Sequence, residues 1–442
     1  MCAFMGMRGN GDWATDQRPK NWRQAILYEY PNGATPLTGI LSMMGSEPTD
    51  DPEFYWWTKR LAAQAGAVSS IYIDVGLGTE YAYDTHQATH GIEDAVVYAK
   101  VAEALAKEFR VGHNVVLRDA DRFDVDVTGY VVDVRHNGAS SYIAIRLMED
   151  DDNSASSSSY NLATVDRIII LNDANPEGGY MPRAVAYDPV KYYNYTGIMR
   201  TPLEITRTAK KTRLRTGDQV KEAKREAMEL HGVQHEKSLI WSIRREWTGD
   251  NGKPQRTFDG MLNFLKRNAT SGFSASAASS INDYTLRTDY SAQSWLDGGE
   301  DWFDEELEYL GKYAPDEVVG FCGAGALTGI TKLAKYTGNI QLTPGPMDSY
   351  GLKFTSWVNP HITVHLKKHP LLAREASTNY SMLLFAPENI KLRVLDDTMY
   401  LPERGPRGLD GEMSEWLTEL GPEFHFPDQF MWLNGIGQDN AV

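Results

Sequence analysis

The sequence predicts a mixed fold of the α+β class, built from more than one domain or sub-domain. Three observations support this prediction. The first 62 residues show little helical or strand periodicity, short strand patterns dominate residues 67–205, and one long amphipathic helix precedes a C-terminal half in which helices and strands alternate. A chain of 442 residues is also too long for one small core, so two or three parts are expected.

Residues 1–62 form the first predicted element, an extended arm. They are rich in Gly, Pro, Asn and Trp, with turn signals such as Pro36 and Pro52. Large aromatic residues crowd the arm, among them Trp22, Tyr55, Trp56 and Trp57. An arm without a core of its own must bury these side chains elsewhere. A neighbouring subunit would suit them because interfaces favour rigid aromatic residues, and the arm's own molecule is the alternative.

Strand patterns follow the arm. We predict one helix at residues 92–109, because apolar residues recur there at helical spacing. The predicted strands are residues 114–117, 124–134, 142–147 and 165–171. Asn137-Gly138 indicates a hairpin between the second and third of them, since both residues accept a positive φ. Residues 149–159 are acidic and rich in Ser, which is typical of an exposed loop.

The clearest helix is predicted over residues 216–243, with Thr216 and Gln219 as a capping box and Gly232 as a point where it could bend. Residues 270–281 are small and polar and indicate a linker. Beyond it, helices are predicted at residues 302–313 and 327–336. Strands are predicted at residues 318–322, 352–358, 362–366, 381–385, 390–394, 415–420 and 423–426.

Composition excludes several classes of protein. The net charge of −16 argues against a dedicated nucleic-acid binder, although it would suit a container that encloses DNA without adhering to it. The sequence contains no run of about 20 apolar residues, so no membrane span is predicted, and the N-terminus lacks the apolar core of a secretory signal. Cys2 and Cys322 can form at most one bridge, which suits a reducing cytoplasm.

The most tempting chemical motif is a glycine cluster at residues 323–329. Gly323, Gly325 and Gly329 follow a predicted strand and open a predicted helix, where a dinucleotide fingerprint belongs. The spacing is one residue too long, however, and no strand ends in an acidic residue about 20 positions further on. The glycines are therefore interpreted as a tight strand-to-helix turn.

Two other clusters resemble metal-binding sites, but their sequences do not match such sites. His361, His365 and His369 would share one face of a helix, but their segment is β-branched and ends at Pro370, which predicts a strand with partly exposed histidines. The aspartates at positions 119, 121, 124 and 126 lack the glycine and glutamate of a calcium loop. The sequence also lacks G-x-S-x-G, P-loop, H-E-x-x-H and C-x-x-C motifs, so we expect no catalytic, cofactor-binding or metal-binding residue.

Four blocks of sequence together resemble one family, the major capsid proteins of tailed bacteriophages with the Hong Kong 97-type (HK97-like) fold, in a branch common among environmental phages. The blocks are ATPLTGILSMMGSEPTDDPEFYWWTKRL at residues 34–61, YYNYTGIMRTPLEITRTAKKT at 192–212, GKPQRTFDGMLNFLKRNAT at 252–270, and ENIKLRVLDD with EWLTELGPEFHFPDQFMWLNGI at 388–397 and 415–436. The blocks occur in the order of the family and span nearly the whole chain. Lys59 and Gly197 depart from the usual residues.

This resemblance implies a division of the chain into four parts. Residues 1–62 would be the N-terminal arm, and residues 63–205 an extended loop region with an inserted β hairpin at about 110–160. Residues 206–290 would be a peripheral domain with the long spine helix, and residues 291–442 an axial domain with returning peripheral strands.

The resemblance also implies a function. The protein would self-assemble into hexamers and pentamers of an icosahedral head, enclosing double-stranded DNA without sequence-specific binding, after assembly in the host cytoplasm. A separate scaffolding protein, a portal and a decoration protein are the other expected partners, and no membrane is involved. The candidate intersubunit residues are Trp22, Tyr55, Trp56, Trp57, Tyr81 and Tyr83. The alternatives are a nucleotide-dependent enzyme that uses the turn at 323–329 and an encapsulin-like compartment shell.

Overall fold

The computed structural model describes residues 35–440, except 60–63, 121–125, 152–160, 179–181, 183, 213–217, 269–281, 338–341, 350–351 and 407. The chain divides into two compact units. The main unit comprises the described parts of Met1–Thr58 and Lys191–Val442, and the barrel unit comprises those of Lys59–Val190. Helices and strands are mixed in the main unit, which confirms the α+β class.

The described part of the arm contributes one helix and two strands to the main unit. These are α1 (Pro36–Met44), β1 (Ser46–Pro48) and β2 (Glu53–Thr58). Pro36 suits the first turn of α1 because its missing N–H would have no partner there. Leu37, Ile40 and Leu41 recur at helical spacing, and all three are buried in the core of the main unit. The expectation of little periodicity is therefore wrong for this part of the arm.

The described residues of the barrel unit form a closed six-stranded β-barrel with two short α-helices. Its elements are β3 (Ala65–Tyr72), α2 (Tyr83–His90), β4 (Val96–Val101), α3 (Glu103–Ala106), β5 (His113–Arg118), β6 (Asp126–Arg135), β7 (Tyr142–Leu147) and β8 (Arg167–Asp173). The strand order is β3-β4-β7-β6-β5-β8, and the sheet closes on itself. The predicted hairpin at Asn137-Gly138 is confirmed, because β6 and β7 are antiparallel neighbours on either side of it. Its loop is longer than two residues, and Gly138 has a positive φ whereas Asn137 does not.

The predicted helix at residues 92–109 is wrong. The structure has a strand at Val96–Val101 and then a helix of four residues at Glu103–Ala106. Val97, Ala99 and Val101 alternate into the barrel core, and β4 pairs with β3 on one side and β7 on the other. Apolar residues in this segment satisfy helical and strand spacing at once, and pairing with distant strands decides between them.

The next part of the main unit contains the long helix. Its elements are β9 (Val190–Tyr195, of which Val190 falls in the barrel unit), β10 (Gly197–Thr206), α4 (Arg207–Lys211), α5 (Gln219–Trp241), β11 (Arg245–Thr248), β12 (Pro254–Thr257) and α6 (Met261–Asn268). Helix α5 is about 35 Å long and runs through Gly232. It begins later than predicted, with Asp218 as its N-cap: the Asp218 side chain accepts a hydrogen bond from the Val220 N–H at 2.9 Å. Thr216 and the predicted linker at 270–281 lie outside the described residues.

The buried face of α5 differs from the prediction. Leu230, which follows Ala223 and Ala227 at the helical spacing that predicts an apolar stripe, is 53% exposed. His231, His235 and Glu236 are buried instead, together with Leu239. The His231 ring lies within hydrogen-bond distance of two hydroxyls, at 2.9 Å from Thr201 and 2.8 Å from Thr418 in the last long strand. Polar side chains therefore fix this helix to the sheet beneath it.

The C-terminal part alternates helices and strands as predicted. Its elements are α7 (Trp295–Gly311), β13 (Glu317–Cys322), α8 (Ala324–Thr337), β14 (Leu342–Ser349), β15 (Leu352–Val358), β16 (Thr363–Lys368), α9 (Pro370–Arg374), β17 (Met382–Phe385), β18 (Ile390–Leu401), β19 (Gly411–Phe424) and β20 (Met431–Leu433). The strands predicted at 415–420 and 423–426 are one strand, β19. None of the helices in the described residues has the length and apolar character needed to cross a membrane.

Two sheets organise the main unit. The first has the order β1-β18-β19-β10, with β1 parallel to β18 and the other neighbours antiparallel. The second has the order β14-β15-β16-β13-β17-β20. Strands β2 and β9 pair as a separate ribbon, and β11 and β12 form another. One hydrophobic core of the main unit contains side chains of α1, α5, α6 and β19, and a second contains those of α7, α8 and β13.

Candidate functional site

The arm is fixed to the main unit first through the N-terminus of α1. The buried carboxylate of Glu236 in α5 accepts hydrogen bonds from the N–H groups of Leu37 and Thr38, both at 2.8 Å, and from the Thr38 hydroxyl at 2.5 Å. Its fourth partner is the Nε2 of His369, at 2.9 Å. The His369 Nδ1 accepts from the Leu371 N–H, so the ring proton is on Nε2. A carboxylate with four donors at the positive end of a helix is fully satisfied although it is buried.

The three histidines predicted on a strand have different environments. The strand is confirmed as β16, and it ends before Pro370. His361 is exposed, and His365 lies 3.0 Å from the Ser356 hydroxyl. His369 is completely buried, so the expected partial exposure is wrong for this residue. Within the described ranges, His, Cys, Asp and Glu residues form no group of three that could hold a metal ion.

A second anchor of the arm is a row of ion pairs across the first sheet. Glu47 in β1 bonds to Lys391 and Arg393 in β18, each at 2.7 Å. Arg393 also bonds to Glu423 in β19 at 2.6 Å. The hydrogen bond from Lys391 is the main cause that lowers the pKa of Glu47. These pairs hold a strand of three residues at the edge of the sheet.

Trp56 provides the third anchor. Along β2, Phe54, Trp56 and Thr58 are buried, whereas Tyr55 and Trp57 point to the other side. The indole N–H of Trp56 donates to the carbonyl of Phe424 at 3.0 Å, and its ring packs against Tyr192 and Phe264. This candidate intersubunit residue is therefore packed within its own chain, as is the inner side of the described arm.

The outer side of the β2–β9 ribbon is exposed and aromatic. We call it the ribbon face and define it by Tyr55, Trp57, Lys191, Tyr193 and Arg244. Tyr55 is 40% exposed, Trp57 61% and Tyr193 36%. The Lys191 ammonium lies 3.6 Å from the centre of the Tyr55 ring, and the Arg244 guanidinium lies 3.6 Å from that of Tyr193. Two of the six candidate residues, Tyr55 and Trp57, thus share one accessible surface.

The other three candidate intersubunit residues are not part of the ribbon face. Tyr81 is buried in the barrel unit, and its hydroxyl donates to Asp151 at 2.9 Å. Burial is the main cause that raises the pKa of Tyr81. Tyr83 is half-buried at the start of α2. Trp22 lies outside the described residues.

The glycine turn at 323–329 joins β13 to α8, as predicted, and its space is occupied by the chain itself. A Cβ on Gly323 would lie 2.1 Å from the Asn379 carbonyl oxygen, and one on Gly329 would lie 2.6 Å from the Cα of Gly437. The N–H of Gly325 donates to the Asn379 side chain at 3.0 Å. Asn379 therefore stands where a pyrophosphate would bind in a dinucleotide site, so the turn serves close packing.

Sequence reasoning missed the buried carboxylates of the described residues, among them Glu236 and Glu306. Glu306 in α7 accepts a hydrogen bond from the Asn282 side chain at 2.9 Å, and burial raises its pKa to about 8. A signal was present, because Glu306 falls between Phe303 and Leu310 on the apolar stripe of its helix. Glu236 carries the same signal, because it lies four residues before the buried Ile240 of α5.

Comparisons with known proteins identify a family. The family model described as SU10 major capsid protein matches residues 21–437. A relative described as "Major capsid protein", from Pseudomonas phage PaMx41, is 21% identical over 379 residues, which are 85% of this chain and 79% of the relative.

Solved structures similar to this chain include the satellite phage P4 procapsid with its size determination (Sid) protein. That likeness has 14% identity and a TM-score of 0.37, and covers 62% of this chain and 80% of the other. The cyanophage Pam1 capsid has 12% identity and a TM-score of 0.36, and the shares covered are 60% and 82%. The SrpI encapsulin of Synechococcus elongatus PCC 7942 also has 12% identity and a TM-score of 0.36, with shares of 58% and 78%.

Proposed function

This chain belongs to the family of SU10 major capsid proteins, and on that premise we propose that its copies form hexamers and pentamers which close into the head of a tailed phage around double-stranded DNA. The chain is a major capsid protein of a phage, a structural component of the icosahedral virion shell and not an enzyme. The family match over nearly the whole chain is the observation that carries this conclusion.

We propose the same division into four parts that the sequence resemblance implies. It comprises an arm at 1–62, an extended loop region at 63–205 with an insertion at about 110–160, a peripheral domain at 206–290 and an axial domain at 291–442. The arm strands, the long helix α5 and the mixed C-terminal sheet support it. The barrel extends beyond the expected insertion, because β3, β4 and β8 close the sheet around the β6–β7 hairpin.

The contacts between subunits would use the exposed aromatic residues of the arm. Tyr55 and Trp57 are accessible on the ribbon face and have the rigid, amphipathic character that interfaces favour. Trp56 and Tyr81 would act indirectly, since each is buried and holds its own unit together. Tyr83 and Trp22 stay candidates from the sequence.

Assembly would take place in the host cytoplasm with a separate scaffolding protein, a portal and a decoration protein. DNA would be enclosed without sequence-specific contacts. The net charge of −16 is compatible with this arrangement, because a shell that repels a polyanion on average would not bind the packaged DNA tightly.

Electron microscopy tests the proposal. The full chain would be produced alone and together with the scaffolding protein of its phage, and then examined by negative staining and sedimentation velocity. We expect capsomers or closed shells in at least one of the two preparations. Monomers in both preparations would contradict it.

A further inference from the structure

The loop between β6 and β7 carries a dipeptide that can react with itself, Asn137-Gly138. The amide carbon of an asparagine can be attacked by the backbone nitrogen of the next residue, and a glycine there has no side chain to obstruct the approach. Asn137 is exposed, and its side chain has no hydrogen-bond partner among the described residues. A Cβ on Gly138 would meet no atom within 4 Å, so the peptide has room to rotate into the geometry of attack.

A second Asn-Gly pair, Asn251-Gly252, is exposed in the turn between β11 and β12 but is protected by hydrogen bonds. The Asn251 side chain accepts a hydrogen bond from the Lys253 N–H at 3.0 Å. The Gly252 N–H, which would be the attacking group, donates to the carbonyl of Gly249 at 2.9 Å. Both bonds must break before this amide can react.

A third pair, Asn434-Gly435, is protected more strongly. Asn434 is half-buried, and its side-chain oxygen accepts hydrogen bonds from the Ser381 hydroxyl and the Trp432 indole, both at 2.7 Å. These bonds fix the side chain against rotation. Two further pairs, at residues 10–11 and 32–33, lie outside the described residues. Among the described pairs, Asn137-Gly138 therefore has the most freedom to react.

A carboxylate lies beside the nitrogen of Gly138 that would attack. Glu103 in α3 pairs with Lys107 at 3.0 Å. The hydrogen bond from Lys107 is the main cause that lowers the pKa of Glu103, and the nearby N–H of Gly138 lowers it further, so this N–H faces an ionised carboxylate. The attacking nitrogen must lose its proton, and a carboxylate can accept it, whereas the neutral Gly249 carbonyl opposite Gly252 is too weak a base.

We propose that Asn137 is a site of spontaneous deamidation, with Glu103 as the base that takes the proton from the Gly138 nitrogen. This nitrogen forms a bond to the Asn137 Cγ, the bond from Cγ to the side-chain nitrogen breaks, and ammonia leaves with the transferred proton. Water then opens the cyclic imide at either of its carbonyl carbons, which gives aspartate or isoaspartate. The reaction consumes one water and releases one ammonia. It goes beyond the proposed function and does not depend on it.

The product would alter the loop that joins β6 to β7. The Asn137 N–H donates to the Ser141 hydroxyl at 2.9 Å, and the Asn137 carbonyl accepts from the Ser140 N–H at 3.0 Å. Isoaspartate places an additional carbon in the backbone between these two groups and moves them apart. Either product also adds a negative charge to a chain whose net charge is already −16. The loop should therefore loosen as the protein ages.

Peptide mapping of the ageing protein tests the inference. The full chain would be incubated at neutral pH, and mass spectrometry would follow the conversion of amide to acid at each asparagine, with isoaspartate separated from aspartate by chromatography. We expect Asn137 to deamidate about tenfold or more faster than Asn251 and Asn434, because hydrogen bonds must first break at the other two sites. Equal rates at the three sites, or an Asn137 that outlasts the other two, would overturn the inference.

A pair of variants tests the role of the base. Glu103→Gln keeps the shape of the side chain but removes the proton acceptor, so deamidation at Asn137 should slow several-fold. Glu93→Gln, at an exposed carboxylate of the same unit, is the matched control and should leave the rate unchanged. The rates at Asn251 and Asn434 report on unfolding in each variant, because unfolding would remove their protection. A wild-type rate at Asn137 in Glu103→Gln would contradict the role of Glu103.

Discussion

Replacing Glu236 by Gln should loosen the arm, because the carboxylate holds four donors in a buried site. Leu37 N–H and the His369 Nε2 meet one oxygen, and the N–H and hydroxyl of Thr38 meet the other. The amide of Gln keeps one oxygen and places an NH₂ group against the remaining two donors. The Thr38 hydroxyl can rotate and accept from this NH₂ group, but the Thr38 N–H loses its acceptor. An unsatisfied buried group costs about 1–3 kcal/mol, so we expect a loss of about 2 kcal/mol.

The effect should be local as well as global. A helix of nine residues does not persist alone, so α1 depends on this anchor and on its buried side chains. Urea unfolding of the unassembled protein gives the free energy, and hydrogen exchange gives the protection of the α1 amides, which should fall. The matched control is Glu229→Gln on the exposed side of the same helix, where the change should stay within about 0.5 kcal/mol. Equal stability and equal α1 protection in Glu236→Gln and the wild type would refute the reasoning.

Three further predictions concern other buried sites. The Glu306 pKa is raised to about 8 from an ordinary 4.5, so the stability from its protonated form is present below pH 4.5 and is lost as the pH rises through 8. In the variant Glu306→Gln, the free energy of unfolding should no longer fall by up to about 1.4 kcal/mol per pH unit over this range. If the free energy of unfolding depends on pH in the same way in variant and wild type, the effect is excluded. Gly329→Ala should cost about 1–3 kcal/mol in thermal unfolding, because its Cβ would lie 2.6 Å from the Cα of Gly437; an unchanged midpoint would argue against the close packing. Tyr81→Phe should destabilise the barrel unit by about 1–2 kcal/mol, since the buried bond to Asp151 is lost, and hydrogen exchange in β4 and β7 should show it; unaltered exchange there would contradict the prediction.

Local sequence patterns were sufficient to predict a secondary-structure element when the element's own residues favour one structure. The hairpin of β6 and β7 was predictable because Asn137-Gly138 separates two strand patterns, although the loop that joins them is longer than a two-residue turn. The segment of β4 was not, because VVYAKV fits a helix or a strand and its fate depends on β3 and β7, which lie far along the chain on either side. Closure of the barrel by β3 and β8 depends on the same non-local pairing.

The candidate surface was partly predictable. The aromatic content of the arm pointed to binding, and the alternation of β2 decides which residues are available: Tyr55 and Trp57 face outwards, and Trp56 faces inwards. Strand periodicity in EFYWWT could have separated them. Lys191 and Arg244 could not have been placed beside them, since they join the ribbon face from positions far along the chain.

The central claim is that copies of this chain build a closed shell, and a cryo-electron microscopy map of the assembled protein tests it most directly. The map should show an icosahedral particle whose wall consists of fivefold and sixfold rings of this chain. Particles in which the chain is missing from the wall, or preparations that contain only monomers or small open oligomers with scaffolding protein present, would contradict it.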